Sequence, residues 1–528
     1  MGIPYYFYVI ARKYNGIVRK DCPHVCHHLL FDYNGLLHPA SQKYLSTLQK
    51  PPKDIEKGIL QSIWTSTQEI ITATQPQQTV QLYIDGVAPI AKMNQQRRRR
   101  YMSIYRKKLG HITSFWDSNA ISPGTTFMTR LHASLRKRMR LVKENYSWTL
   151  STAEEPGEGE HKLFHQLKTK YNDPHQTKII VGMDADLIML SLMSNLPNIY
   201  LMRVQEDKTP QYLDVDALRV GILKDLRYSY HFNFDEQAIA EPFSSEANMV
   251  IHSYIVLCFI LGNDFLPHPV HINLKRGGLE ELLLHAARIW NNTQIPLVDI
   301  HTHTLQWTFI SQLLEALSHN ETDKLYDTIE EYSYKMPHSE PDIENYPLQH
   351  KDIDFLLSID KSKWRQHYYS HLFHCPLTDT TIIKQACDLY LKGIQWTYQY
   401  YMGLPKDPQW YYPWSYAPSI RDLSNHLNTH ISTFQSPPSP NTNPSFVDPI
   451  TQLFCILPLE SIPCIPPKYH QLVDQYHLHY LFPTQFRIHT FLKNQLWECS
   501  PILPPMNVQK IKQLLDHQGL TSDPKASS

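Results

Sequence analysis

YIDGVAPIAKMNQQRRRR, residues 83–100, is the stretch whose reading decides the fold. Val80 to Ile84 forms an apolar run of strand character that delivers a carboxylate, Asp85, at its end. Gly86 and Pro89 turn the chain, and no acidic residue follows from Lys92 to Lys108. Read as a helix, that segment sets Lys92, Gln96, Arg99 and Arg100 at i, i+4, i+7 and i+8, on one face. An acid at a strand end, one turn from cations and amides suited to a phosphate, points to phosphodiester chemistry.

The same pattern recurs along the chain. VCHHLLFDYNG reads as a strand ending in Asp32 and a turn, with His38 six residues later. TKIIVGMDADLIML (177–190) is a buried strand, then Asp184 and Asp186, then a helix, and TAEEPGEGEHKLFHQLK (152–168) places Glu158 and Glu160 at a helix start. YYFYVIARKY, residues 52–74 and two basic segments flanking DSNAISPG (117–124) read as helices. Strands alternating with helices predict an α/β domain with a mainly parallel sheet. Such sheets bind ligands at the carboxyl ends of their strands, where Asp32, Asp85 and Asp184 fall. SYIVLCFILGNDFLPHP (253–269), which carries Asp264, opens a more helical pattern, and 290–380 gives no motif. A second region starts near 381 with the aromatic-rich GIQWTYQYYMGLPKDPQWYYPWSYAP (393–418). SPPSPNTNPSF (436–446) reads as a loop, and the residues from His517 as a frayed tail. The expected units are therefore 1–290, a connecting segment 291–380, a second region 381–516 and a tail 517–528.

The chain has 528 residues, enough for two or three domains, and its fifty basic residues balance fifty acidic ones. Global charge predicts no polyanion partner, but the charge is segregated into the 92–108 segment and RLHASLRKRMRLVK (130–143). Eight scattered cysteines and no signal peptide predict reduced thiols in an intracellular, soluble protein. The longest apolar run, Tyr254 to Leu261, is too short to span a bilayer. Met1-Gly2 is not read as a myristoylation signal, because position 6 is Tyr.

Seven carboxylates stand out: Asp32, Asp85, Glu158, Glu160, Asp184, Asp186 and Asp264. Each taken alone is more simply a cap or turn acid. Two are closely spaced pairs, E-G-E and D-A-D, and all seven adjoin Gly or small residues that permit close approach. Converging carboxylates repel and raise one another's pKa unless a divalent cation lies between them. All-oxygen donors select Mg²⁺ or Mn²⁺ over zinc, and a pair of such ions hydrolyses phosphodiesters without a protein nucleophile. No nucleophile motif is present. CPHVCHH (22–28) offers a rival zinc reading, set aside because no second Cys/His pair stands at conventional spacing.

These motifs together resemble the XRN family of 5′→3′ exoribonucleases over most of the chain. MGIPYYFYVIARKY, FDYNGLLH, IDGVAPIAKMNQQRRRR, DSNAISPGTTFM, EEPGEGEHK, GMDADLIML and CFILGNDFLPH follow the family's order. GIQWTYQYYMGLP, WYYPWSYAP, ILPLESIPCIPPKY and LWECSPILPP resemble its second conserved region. The resemblance implies a PIN/flap-nuclease-like fold, with the second region, mixed but mostly helical, narrowing its entrance. It places all seven acids among metal ligands, for two Mg²⁺ ions with Mn²⁺ able to substitute. It places Lys92, Gln96, Arg99 and Arg100 in a pocket for a 5′-terminal phosphate, His38 against the first bases, and Trp396 or Trp410 as a further stacking surface. The aromatic stripe taken alone is more simply core. Ile90 stands where the family has Arg, Trp414-Ser415 replaces Tyr-His, and KRGG (275–278) is unusually basic.

The function implied is processive decay of single-stranded RNA bearing a 5′-monophosphate, releasing 5′-mononucleotides, as part of RNA degradation. The expected form is a minimal monomer lacking the family's long C-terminal extensions, with the cytoplasm placed ahead of the nucleus. Arg97 and Arg98 face away from the pocket and are expected to be solvated or to track the RNA backbone. The alternatives are a flap-type 5′ DNA nuclease, which uses the same acids, and an inactive RNA-binding scaffold. Against the first, no Gly-rich helix-hairpin-helix segment is found; against the second, all seven acids are kept.

Overall fold

The computed structural model describes residue 3 and residues 5–204, 209–336, 342–351, 360–404, 407–435, 446–475 and 478–517. The expected Pro/Ser loop at 436–446 and the tail from His517 lie outside the described residues, Phe446 and His517 excepted.

Seven strands make the central sheet: β1 (Val18–Arg19), β2 (His28–Asp32), β3 (Thr79–Tyr83), β4 (Ser147–Ser151), β5 (Lys178–Val181), β6 (Ile199–Val204) and β7 (Pro210–Asp214). Their order is β1-β7-β6-β5-β2-β3-β4. The block β6-β5-β2-β3-β4 is parallel, while β7 runs antiparallel to both β6 and β1. The α/β architecture with a mainly parallel sheet is thus as expected.

Side chains alternate between two apolar layers. Leu29 and Phe31 of β2, Val80 and Leu82 of β3, and Ile179 and Val181 of β5 face one layer. Leu30, Tyr83 and Ile180 face the other. Both faces are covered, which is why β2 and β5 read as apolar runs, and Gln81, the buried polar residue inside β3, donates to Thr79 Oγ1 at 2.7 Å. The first layer is built by α2 (Asn34–Leu45), α3 (Ile55–Thr74) and α5 (Thr126–Leu141); the second by α1 (Tyr6–Lys13), α6 (Gly159–Thr169), α7 (Asp186–Met193) and α8 (Val215–Tyr228). Helix starts carry side-chain caps: Asp54 accepts from Lys57 N at 3.1 Å, and Asp214 from Ala217 N at 2.9 Å.

The second layer continues without a break into the rest of the chain. The helix Ser245–Ile260 is buried over Val250 to Ile260 on every side, and it packs against the helix Thr380–Tyr401. One core therefore runs from Tyr6 through Ile255 to Trp396, Tyr412 and Phe491. The stretch that gave no sequence motif holds the helices Trp307–Ser318, Glu321–Ser333 and Trp364–Leu372, which join the same core. Among the described residues no helix is long and apolar enough to cross a membrane.

The helix α4 (Ile90–Leu109), which contains the basic run, bolts the two regions together. Met93 packs into an apolar cluster of residues 450–515. Arg97 is buried and donates to Pro504 O at 2.6 Å and Leu481 O at 3.1 Å, while Arg98 donates to Pro413 O at 2.6 Å. The expectation that both arginines are solvated or track RNA is therefore corrected for Arg97, whereas Arg98 is half-buried and lines an open cleft. Helical periodicity put Arg97 off the pocket face, but there it meets protein rather than water.

Candidate active site

Parallel strands end their carbonyl-rich edges together, and here β3, β2 and β5 are neighbours. Asp32 is the last residue of β2; Asp85 and Asp184 lie two and three residues beyond β3 and β5. Asp85 is fixed from two sides. Asn34 Nδ2 donates to its Oδ2 at 2.8 Å, Asn34 Oδ1 accepts from its backbone N at 3.1 Å, and Gly159 N donates to Oδ1 at 2.7 Å. A Cβ on Gly159 would stand 2.7 Å from Tyr83 O, so only glycine lets the start of α6 come this close. That approach carries Glu158 and Glu160 into the strand ends. Asp186 opens α7, its backbone N donating to Asp184 Oδ1 at 3.2 Å. Asp264 follows a helix rather than a strand, just past Gly262, whose φ is 95°.

Lys92 enters this ring from α4. Its ammonium lies 2.7 Å from Glu158 Oε2 and 2.9 Å from Asp264 Oδ2. Burial, then the charges of Asp85 and Asp184, push the Asp32 carboxyl well above its usual range. Burial raises Glu160 well above its usual range as well, with Glu158, Asp186 and Asp184 adding repulsion. Burial and then Asp184 and Asp264 push Asp186 up to about 8. Burial would raise Asp264 too, but the charge and hydrogen bond of Lys92, joined by other positive charges such as Arg99, together hold that carboxyl below the usual range. The seven acids therefore form one interacting set.

The seven carboxylates outnumber the lysine placed among them, and several are buried. Asp186 Oδ1 is buried without a hydrogen-bond partner. Oxygen donors of this number and charge suit a hard divalent cation. His161 is an addition the sequence reading missed: Glu158, Glu160 and His161 each offer an atom, all within 4.8 Å of one another. Burial lowers its pKa to about 3, so the imidazole is neutral.

The four residues expected to share a phosphate pocket divide. Lys92 is committed to the acids. Gln96 and Arg100, 6% and 8% exposed, are buried with Gln96 Oε1 and Arg100 Nη1 unpartnered. Arg99 is exposed. Burial, followed by Arg99, lowers the Arg100 guanidinium to about 9, so an anion there would stabilise it. His38 stands on α2 with an accessible surface, yet desolvation by the surrounding protein, followed by repulsion from Arg99 and Arg100, lowers it to about 4. It is uncharged and fit to stack.

Trp396 and Trp410 are 5% and 7% exposed. Trp396 stacks on Tyr400 at 4.9 Å and meets Trp410 at 4.8 Å, so neither ring presents an open face. An open aromatic lies elsewhere. A cleft of about 480 Å³ runs past Asp264 and Arg99 and is lined by Lys493, Tyr5 and Trp497. Trp497 and Tyr5 are 45% and 39% exposed, with ring centres 6.1 Å apart, and the Lys275 ammonium sits 3.5 Å above the Tyr5 ring. Trp497 belongs to the LWECSPILPP block, and no sequence signal separated it from the buried Leu496 beside it.

Two family models match the chain: the XRN 5′-3′ exonuclease N-terminus over residues 1–205, and the Xrn1 helical domain over residues 349–520. The 5′-3′ exoribonuclease 1 of Homo sapiens is 23% identical across 98% of this chain and 34% of its own length. The 5′-3′ exoribonuclease 2 of Yarrowia lipolytica is 24% identical across 93% of this chain and 64% of its own. The 5′-3′ exoribonuclease 1 of Schizosaccharomyces pombe is 24% identical across 96% of this chain and 47% of its own. The chain thus spans between about one third and two thirds of the length of these relatives. With both models matched in order on a sheet whose strand ends gather seven acids, this chain belongs to the XRN 5′-3′ exonuclease family.

Proposed function

We propose that the protein is a 5′→3′ exoribonuclease that degrades single-stranded RNA from a 5′-monophosphate end and releases 5′-mononucleotides. The observation that carries this reading is the division of α4. Lys92 joins the acid ring, while Arg100, two turns further on, is buried with an unpartnered Nη1. Eight residues of helix separate the two by about 12 Å, the scale of one to two nucleotides. A hydrolytic site and a site for a terminal anion are thereby held at a fixed spacing.

The residues divide the work as follows. Gln96, Arg99 and Arg100 bind the 5′-terminal phosphate, the arginines by charge-assisted hydrogen bonds. His38 and Trp497 stack on bases and keep the strand single and in line. Asp32, Asp85, Glu158, Glu160, Asp184, Asp186 and Asp264 would hold two Mg²⁺ ions. Divalent ions so held activate a water and stabilise the leaving oxygen. Lys92 offsets the remaining charge of Glu158 and Asp264 and keeps both oriented. A narrow pocket around Arg100 excludes a triphosphate or cap by size, and stacking after each cut draws the next nucleotide inward, which makes decay processive.

The test is decay of matched RNAs carrying monophosphate, triphosphate or hydroxyl 5′ ends, with Mg²⁺ present. Monophosphate RNA should be degraded at least tenfold faster than the other two, and equal rates would overturn the pocket. Asp184→Ala should abolish decay; persistence of activity would overturn the metal assignment. A flapped DNA substrate in the same assay should remain intact.

A further inference from the structure

The helix Thr380–Tyr401 ends with two tyrosines whose hydroxyls reach the acid ring from the second region. Tyr400 donates to Glu158 Oε1, whose Oε2 faces Lys92 at 2.7 Å. After burial, the charge of Asp186 is the strongest influence on the Tyr401 hydroxyl, which it pushes well above its usual range. Consecutive helical positions diverge by about 100°, so one helix end addresses two separate acids, one from E-G-E and one from D-A-D. Both tyrosines are buried, each 4% exposed.

The rings have no freedom to swing away. Tyr400 is sandwiched by Trp396 at 4.9 Å and His161 at 3.9 Å, with the Phe265 edge at 5.4 Å. Tyr401 lies against Phe259 at 4.8 Å. The hydroxyls are therefore set by packing, and they fix the carboxylates rather than follow them. Asp186 shows what such an acid still needs: it acts on the Tyr401 hydroxyl, yet its buried Oδ1 has no hydrogen-bond partner. Buried carboxylate oxygens of that kind are satisfied by a cation.

We propose that Tyr400 and Tyr401 are positioning residues that orient Glu158 and Asp186 for divalent cations, so that the second region helps to build the metal site. This inference rests on reading the acid ring as a metal site. Outer partners of ligands typically change metal affinity by about 10–100-fold when removed. A donor that holds one oxygen of a carboxylate also leaves the other aimed at a single point, which explains why two hydroxyls suffice for two pairs of acids.

The experiment measures Mn²⁺ binding to the purified full chain by calorimetry and by the electron paramagnetic resonance signal of free Mn²⁺. Tyr400→Phe and Tyr401→Phe should each weaken binding by about tenfold or more. Binding of 5′-monophosphate RNA in EDTA should stay unchanged, and RNA decay should recover at high Mg²⁺. The control is Tyr390→Phe on the same helix, a buried hydroxyl that donates to the backbone Pro267 O at 2.8 Å rather than to an acid. Its Mn²⁺ affinity should equal that of the parent. Affinities of Tyr400→Phe and Tyr401→Phe within twofold of the parent overturn the inference, as does equal weakening in Tyr390→Phe. If the parent binds no Mn²⁺, or Asp184→Ala binds it equally well, the metal-site reading falls and takes this inference with it. Tight binding by the parent with unchanged tyrosine variants removes the inference alone.

Discussion

Lys92 and Asp264 stand 172 positions apart in the chain and 2.9 Å apart in the fold, with Glu158 at 2.7 Å on the same ammonium. One cation thus ties α4, the start of α6 and the turn after Gly262 into a single site. Removing it leaves buried carboxylates facing each other. Lys92→Met should destabilise the metal-free protein by about 3–5 kcal/mol. Thermal unfolding in EDTA reads the loss, and added Mg²⁺ should restore part of it, because the ion replaces the missing charge.

Arg100 and Arg97 lie on one helix and should fail differently. Arg100→Ala should remove at least tenfold of the preference for a 5′-monophosphate while leaving the unfolding temperature close to the parent. Arg97→Ala removes the donor to Leu481 O, in a buried contact, and to Pro504 O, in a half-buried one, and should destabilise by about 2–4 kcal/mol. End preference in the folded fraction should be unchanged. Similar behaviour of the two variants would sink the division of the helix.

Two tryptophans of the second region make the same kind of contrast. Trp497→Ala should weaken single-stranded RNA binding in EDTA by about 1–3 kcal/mol, the range for one base stack, with little loss of stability. Trp396→Ala should destabilise by about 3–5 kcal/mol, because it empties a core position against Tyr400 and Trp410. Fluorescence anisotropy and thermal unfolding separate the outcomes.

Protons should compete with the divalent ion. Asp186 is held up at about 8, so the metal-free protein keeps that proton through neutral pH. A carboxyl raised above its unfolded value contributes stability that is complete near pH 4 and is lost as pH rises through 8. The metal-free protein should therefore lose stability across that window, and saturating Mg²⁺ should flatten the loss. Metal binding at pH 7 should release protons, measurable in weakly buffered solution, and apparent affinity should rise with pH until about 8.

Much of this was legible because the decisive strands are short and doubly buried. Val80 to Ile84 predicted β3, observed at Thr79–Tyr83, and DADLIML predicted the start of α7. The strand SWTLS at the sheet edge was not foreseen, since its residues are half exposed and alternate with no clear apolar face. The hairpin of β6 and β7 was likewise unmarked. At the site, spacing brought Lys92 near a carboxylate but could not show which ones, because Glu158 and Asp264 arrive from distant turns. Arg97 was misread for a related reason: its partners lie 384 and 407 positions away. Trp396 and Trp410 drew attention as aromatics in a rich block, where the simpler core reading describes their burial.

The anchoring of α4 has a consequence for dissecting the protein. Met93, Arg97 and Lys108 each hold on to residues beyond 450, Lys108 reaching Thr484 O at 3.0 Å. Cutting the chain after the Ile420–Gln435 helix would leave every one of the seven acids in place. It would also strip supports from the helix that holds their lysine and the residues proposed to bind a terminal phosphate. The sheet and its acids are therefore not a portable nuclease module, and a fragment carrying them alone should be an acid cluster without a register for cutting.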